Sequence, residues 1–100
     1  MENLMQLIFG LLISAIGIIN IKGNIRTVHS YNRKKVKEED IPKYGKVIGT
    51  GTLIIGVAIA ISALASFLGK ALENIIILPA MVIGFGFILY GQIKYNGGLF

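Results

Sequence analysis

Apolar residues along this chain fall into three long, nearly unbroken runs separated by short polar stretches. From Leu4 to Ile21 no ionisable side chain occurs, and roughly 18 residues at about 1.5 Å each give some 27 Å of helix. That length nearly matches a hydrocarbon core of about 30 Å. The second run, Val47 to Leu68, is rich in Ile, Ala and Gly and is also free of charge. The third, Ile75 to Ile93, holds Pro79 near its start and Gly84, Gly86 and Gly91 within it, residues that membrane helices tolerate better than soluble ones do. Pro79 lacks a backbone donor and presses on the preceding turn, which predicts a kink there. Transmembrane strands alternate apolar and polar side chains over about 10 residues, whereas these runs are apolar on every side. Three soluble helices would need charged outer faces, and none of the runs has one. The pattern predicts an all-α, integral membrane three-helix bundle. It forms a single membrane domain over residues 1–100, with spans at about 4–21, 47–68 and 75–93 and a basic loop at 22–46.

Within that loop, Glu38, Glu39 and Asp40 stand just before Ile41 and Pro42. Acidic residues followed by proline mark a helix start, through the amino-terminal dipole and the fixed φ of proline. The second helix is therefore expected to begin near residue 40, run for about 29 residues or roughly 43 Å, and extend past the headgroups into the cytoplasm.

Composition narrows the chemistry. An apolar fraction of 54% with 15% charged residues is too greasy for a soluble domain of 100 residues. The absence of cysteine removes disulfides and thiolate sites, and the lone His29 is too little for a metal cluster. No metal or other cofactor is implied, and no Ser, His and Asp set assembles at one depth, so no catalytic residue is assigned and an enzyme is not expected. The net charge of +5 does not suggest nucleic acid, because the basic residues are confined rather than spread over a face. Lys22, Arg26, Arg33, Lys34, Lys35, Lys37, Lys43 and Lys46 all lie in the first loop. Lys and Arg near span ends stay in the cytoplasm, which predicts that loop and the carboxyl end inside and the amino terminus outside. Glu2 stands where a signal peptide would carry positive charge, so the first run is expected to be a retained span. Tyr44, Tyr90 and Tyr95 fall near the same predicted inner surface, where a ring with a polar tip suits the boundary. Ile25, Val28, Tyr31 and Val36 are candidates to lie on that surface, while Arg33, Lys34 and Lys35 meet anionic lipid.

Small residues recur four apart at Gly10 and Ser14, at Gly45 and Gly49, at Ala58, Ser62 and Ser66, and at Ala80 and Gly84. Such spacing lets helix backbones approach closely, so each set is a candidate packing stripe. The contacts are expected within one bundle, or else in a homo-oligomer or against a membrane protein partner. No ionisable residue sits in the middle of a span, which argues against a proton-coupled exporter. Polar residues inside the spans, among them Ser14, Asn20, Thr50, Thr52, Ser62, Ser66 and Gln92, are read as packing or backbone hydrogen bonding.

Ser30-Tyr31-Asn32, then Glu38-Glu39-Asp40, then Tyr44-Gly45-Lys46 and Gly49 leading into an apolar helix, resemble a family of small bacterial membrane proteins of unknown function. The same layout, with Arg26-Thr27 in the loop, is similar to the carboxyl half of SdpI-like toxin-immunity proteins. The resemblance covers about residues 23 to 56. It implies a multi-pass protein of the bacterial cytoplasmic membrane that acts as a non-enzymatic binding module. Arg26, Thr27, Tyr31, Asn32, Arg33, Lys34, Lys35 and Tyr44 are the expected partner or lipid contacts. An accessory or structural subunit of a larger membrane complex is the alternative. A holin-like pore former fits the size and basic tail, but no span carries a polar stripe.

Overall fold

The computed structural model describes residues 2–25 and 36–97, less the side chains of Glu2 and Phe67. They are entirely helical apart from their connections. Helix α1 spans Glu2–Ile21, α2 spans Ile41–Ala65 and α3 spans Lys70–Asn96. At 20, 25 and 27 residues, they measure about 30, 38 and 40 Å. All three are long and apolar enough to cross a membrane. The chain is thus a small polytopic membrane protein by length and composition.

A 3₁₀ turn at Glu38–Asp40 runs directly into α2, with Pro42 in the first turn, where its missing N–H is not needed by the helix. Helical backbone therefore precedes the apolar run at Val47 by about two turns. The link between α2 and α3 is tighter than the run boundaries suggest. A 3₁₀ turn at Ser66–Leu68 is followed by Gly69 at φ 134°, a backbone setting that only glycine adopts freely. Helix α3 then starts at once with Lys70, so Lys70, Glu73 and Asn74, expected in a link, occupy its first turns. Glu73 is buried there, with the exposed Lys70 ammonium a loose 3.9 Å away, and a carboxylate suits the amino-terminal dipole. Pro79 lies inside α3, and the helix continues through it.

Helix α2 is the shared partner: α1 and α3 each pack along it and scarcely touch one another. Glycine sets how close they come. A β-carbon built on Gly49 would stand 2.5 Å from the Gly17 carbonyl oxygen, and one on Gly56 would stand 2.5 Å from the Ser14 nitrogen and 2.9 Å from the Gly10 carbonyl. Gly10 thus faces Gly56 and Gly17 faces Gly49. The two pairs are seven residues apart on helices running in opposite directions, the repeat that keeps one stripe in contact along a left-handed crossing. On the other side of α2, a β-carbon on Gly51 would meet the Gly84 carbonyl at 2.5 Å. Side chains lost at these positions let dispersion and weak polar contacts act between backbones, the main source of helix association where the surroundings are themselves apolar.

Substitution reads out that geometry. Gly49→Ala or Gly56→Ala should lower stability in detergent micelles by about 1 to 3 kcal/mol, because the nearest atom at each is backbone and has no rotamer with which to yield. Gly86→Ala, at an open position of α3, should leave it unchanged or raise it by up to about 1 kcal/mol. Reversible unfolding of the three variants would check this, and equal losses at all three sites would contradict it.

Candidate functional site

The end of the molecule where α1 finishes and α2 begins is unlike the rest. Lys22, Lys37, Lys43, Lys46 and Lys94 are all exposed there, and beneath them lies a buried mixed cluster. Its apolar part is Ile25, Tyr44 and Ile48, with Val36, Ile41, Ile88 and Tyr95 packed around them. Its polar part is Asn20, Tyr44, Gln92 and Asn96, which are 1, 0, 5 and 1% exposed.

Each helix contributes by its own logic. Asn20 is the next-to-last residue of α1, and its Nδ2 donates to the Asn24 carbonyl oxygen at 2.9 Å. That bond holds the chain as it leaves the helix through Gly23, and it brings Ile25 back against the cluster. Tyr44 lies one turn into α2, and its hydroxyl donates to Gln92 Oε1 on α3. Asn96 closes the last turn of α3, where Gly97 at φ 78° returns its N–H to the Gln92 carbonyl. Neutral amides and a phenol are thus enclosed here without the cost of a buried charge. Among the described residues no buried side-chain polar atom lacks a hydrogen-bond partner, and no group of His, Cys, Asp or Glu has the makings of a metal site.

A second polar contact pins the opposite end. Gln6 Nε2 donates to Ser62 Oγ at 2.8 Å and to the Ile59 carbonyl at 3.3 Å, joining α1 to α2. Between the two ends the hydroxyls of Ser14 and Thr52 turn back on their own helix, to the carbonyls of Gly10 and Ile48. Cross-helix hydrogen bonds from Gln6 near one end and from Tyr44 near the other thus fix the sliding of α1 on α2 and of α2 on α3.

The residues named from sequence divide into three groups. Arg26, Thr27, Tyr31, Asn32, Arg33, Lys34 and Lys35 lie outside the described residues. Tyr44, expected to meet lipid or a partner, is instead fully enclosed, because its ring fills the space between α2 and α3 and its hydroxyl reaches Gln92. Ile25 is likewise buried and Val36 packs beside it, rather than lying on a membrane surface. Gly10, Ser14, Gly45, Gly49, Ala58, Ser62 and Gly84 are buried in the contacts of α2 with its two neighbours, while Ser66 and Ala80 are only half-buried. Ser66 bonds back to the Ala63 carbonyl at 2.7 Å, and Ala80 lines an open groove with Ala58 and Ile76. Gln6, Gly17, Gly51, Gly56, Gly91 and Asn96 were not singled out as site residues, and Asn20 and Gln92 only as packing. Their signal was present in part, since Gly17 extends the Gly10–Ser14 stripe and Gly56 extends Gly45–Gly49 by helical spacing.

Searches against family models, curated proteins and solved structures give no match for this chain.

Removing the phenol oxygen should weaken the joint between α2 and α3 without opening the α1 contact. Tyr44→Phe is expected to cost about 1 to 2 kcal/mol, since Gln92 then loses a buried donor. Gln6→Leu should cost less, about 0.6 kcal/mol, the average for cross-helix hydrogen bonds in a membrane. The two sites share no partner, so the double variant should show the sum within about 0.5 kcal/mol. A coupling above 1 kcal/mol in micelle unfolding would show that the two ends are not independent.

Proposed function

We propose that this protein is a non-enzymatic membrane binding module whose contact surface is the basic end, resembling SdpI-like toxin-immunity proteins in layout. The observation that carries the reading is the buried Asn20, Tyr44, Gln92 and Asn96 cluster directly beneath the exposed lysines. Amides enclosed at the meeting point of three helices hold the helix ends in one arrangement, and a fixed arrangement of ends gives a loop a defined surface to present. The cluster consists of amides and one phenol, with that phenol bonded to an amide across α2 and α3, an arrangement suited to holding a surface in place.

Orientation belongs to the same proposal. Five exposed lysines at one end face a single Lys70 paired with Glu73 at the other, and the bias of Lys and Arg towards the cytoplasm puts the basic end inside. An incoming peptide toxin or a neighbouring subunit would then be met from the inner surface.

Two experiments test these statements separately. Because the chain has no cysteine, Lys37→Cys and Asn74→Cys each supply one thiol for an impermeant maleimide on intact bacterial cells. Asn74→Cys should label at once and Lys37→Cys only after permeabilisation; the reverse pattern would invert the proposed topology. For the function, expression in a bacterium sensitive to membrane-active peptide toxins should raise survival, and Tyr44→Phe should reduce that protection. Killing that is unchanged across a panel of such toxins would count against immunity.

A further inference from the structure

Gly86 is the one glycine inside a described helix that serves no contact. Gly10, Gly17, Gly45, Gly49, Gly51, Gly56, Gly84 and Gly91 each face atoms of a neighbouring helix at 3.0 Å or less from where a β-carbon would stand, whereas nothing lies within 4 Å at Gly86. Gly23, Gly69 and Gly97 hold positive φ at turns. A glycine in the middle of a helix costs about 1 kcal/mol relative to alanine, and at Gly86 no neighbouring helix in the fold recovers that cost.

What the missing side chain leaves is a notch. Ile83, Phe87 and Tyr90 wall it, Gly86 is its floor, and it is an open depression of about 390 Å³ on the outer flank of α3. Its walls are apolar except at one corner, the hydroxyl of Tyr90. That hydroxyl accepts a hydrogen bond from Lys94 Nζ at 2.9 Å. The same ammonium lies 5.3 Å from the centre of the Tyr90 ring and 5.6 Å from that of Tyr95, within the range of cation–π attraction. Lys94 is thereby held at the basic end, one turn beyond the notch, with ammonium protons still free to donate.

We propose that this flank of α3 is a binding site for one anionic phospholipid, with its phosphate on Lys94 and Tyr90 and the upper part of an acyl chain lying in the notch over Gly86. Charge complementarity selects the head: a fixed cation at the end of a membrane helix attracts a phosphate that carries net negative charge more than a zwitterionic headgroup. The absence of a side chain at residue 86 admits the tail. A second copy of the chain, packed through the same stripe, is the competing occupant of a glycine notch, but the outer stripe of α3 through Pro79, Val82, Ile83, Gly86, Tyr90 and Ile93 carries no acid to set against Lys94.

The full-length protein, reconstituted in vesicles of equal phosphatidylglycerol and phosphatidylcholine and released into mild detergent, allows the retained lipid to be counted by native mass spectrometry. The wild type should retain phosphatidylglycerol about fivefold over phosphatidylcholine, the effect of one lysine near an anionic headgroup. Lys94→Gln should bring that ratio to about one. Gly86→Leu should reduce retention of both lipids while helix content stays unchanged, since a side chain there has open space to occupy. Lys37→Gln, at an exposed lysine that is not part of α3, should keep the wild-type ratio. The proposal is overturned if Lys94→Gln keeps the preference, if Lys37→Gln abolishes it equally, or if Gly86→Leu retains lipid as before. It is also overturned if the wild type is a dimer that Gly86→Leu splits, which would assign the notch to a second copy. These readouts do not depend on toxin protection or on topology, so this site stands or falls apart from the proposed function.

Discussion

Close backbone approach at glycine is the constraint on which the rest of this molecule depends. Inside a bilayer an apolar side chain gains nothing by leaving lipid for protein, so the drive that builds soluble cores is missing. What remains is surface fit, and fit is greatest where two helices lose their side chains at the same level. Gly10 against Gly56, Gly17 against Gly49 and Gly51 against Gly84 provide three such levels. All three involve α2, which explains why α1 and α3 lean on it and leave each other alone. The large side chains that would dominate a soluble core, such as Leu11, Ile18, Val82 and Phe85, stay outside.

Glycine contacts set distance, but they are poor at setting position along the axis. A helix that slides by one turn meets another small residue, since Gly45, Gly49 and Gly56 offer several seats on one face of α2. Polar side chains supply the missing choice. Gln6 finds Ser62 and the Ile59 carbonyl at only one setting of α1, and Tyr44 finds Gln92 at only one setting of α3. Both bonds lie towards helix ends, where an amide or phenol costs least to place in a membrane. The middle of the molecule is left to the glycines and to aliphatic side chains.

The number of helices and their approximate bounds are legible in the sequence because run length and lack of charge are properties of the chain alone. The start of α2 is legible for the same reason, since Glu38-Glu39-Asp40 and Pro42 act locally. Which glycines meet, and where, is not. Spacing of four flagged Gly45 and Gly49 but passed over Gly17, Gly51 and Gly56, whose partners lie dozens of residues away and depend on how helices cross. Tyr44 shows the limit most clearly. From sequence it stands in a charged loop region and reads as an interfacial ring, yet it is enclosed because Gln92, Ile88 and Tyr95 arrive from the far end of the chain, Gln92 bonding its hydroxyl and the other two packing on its cluster. Ile25 and Val36 follow Tyr44 inward, being the apolar groups within reach of the same cluster.

The two ends of the molecule therefore do different work. At the Gln6–Ser62 end a single side-chain pair bridges α1 and α2, and the adjacent link is as short as one 3₁₀ turn and Gly69 allow. At the basic end all three helices contribute to an enclosed set of amides and a phenol, and the segment between α1 and α2 departs from its rim. A short tight link has little surface with which to recognise anything. Ile25 and Val36, on either side of the basic segment, both pack on the buried cluster, and on the proposed reading that footing is what recognition draws on. Mutation in the dry middle should thus alter how firmly the helices hold, whereas mutation in the cluster should alter what the basic end presents.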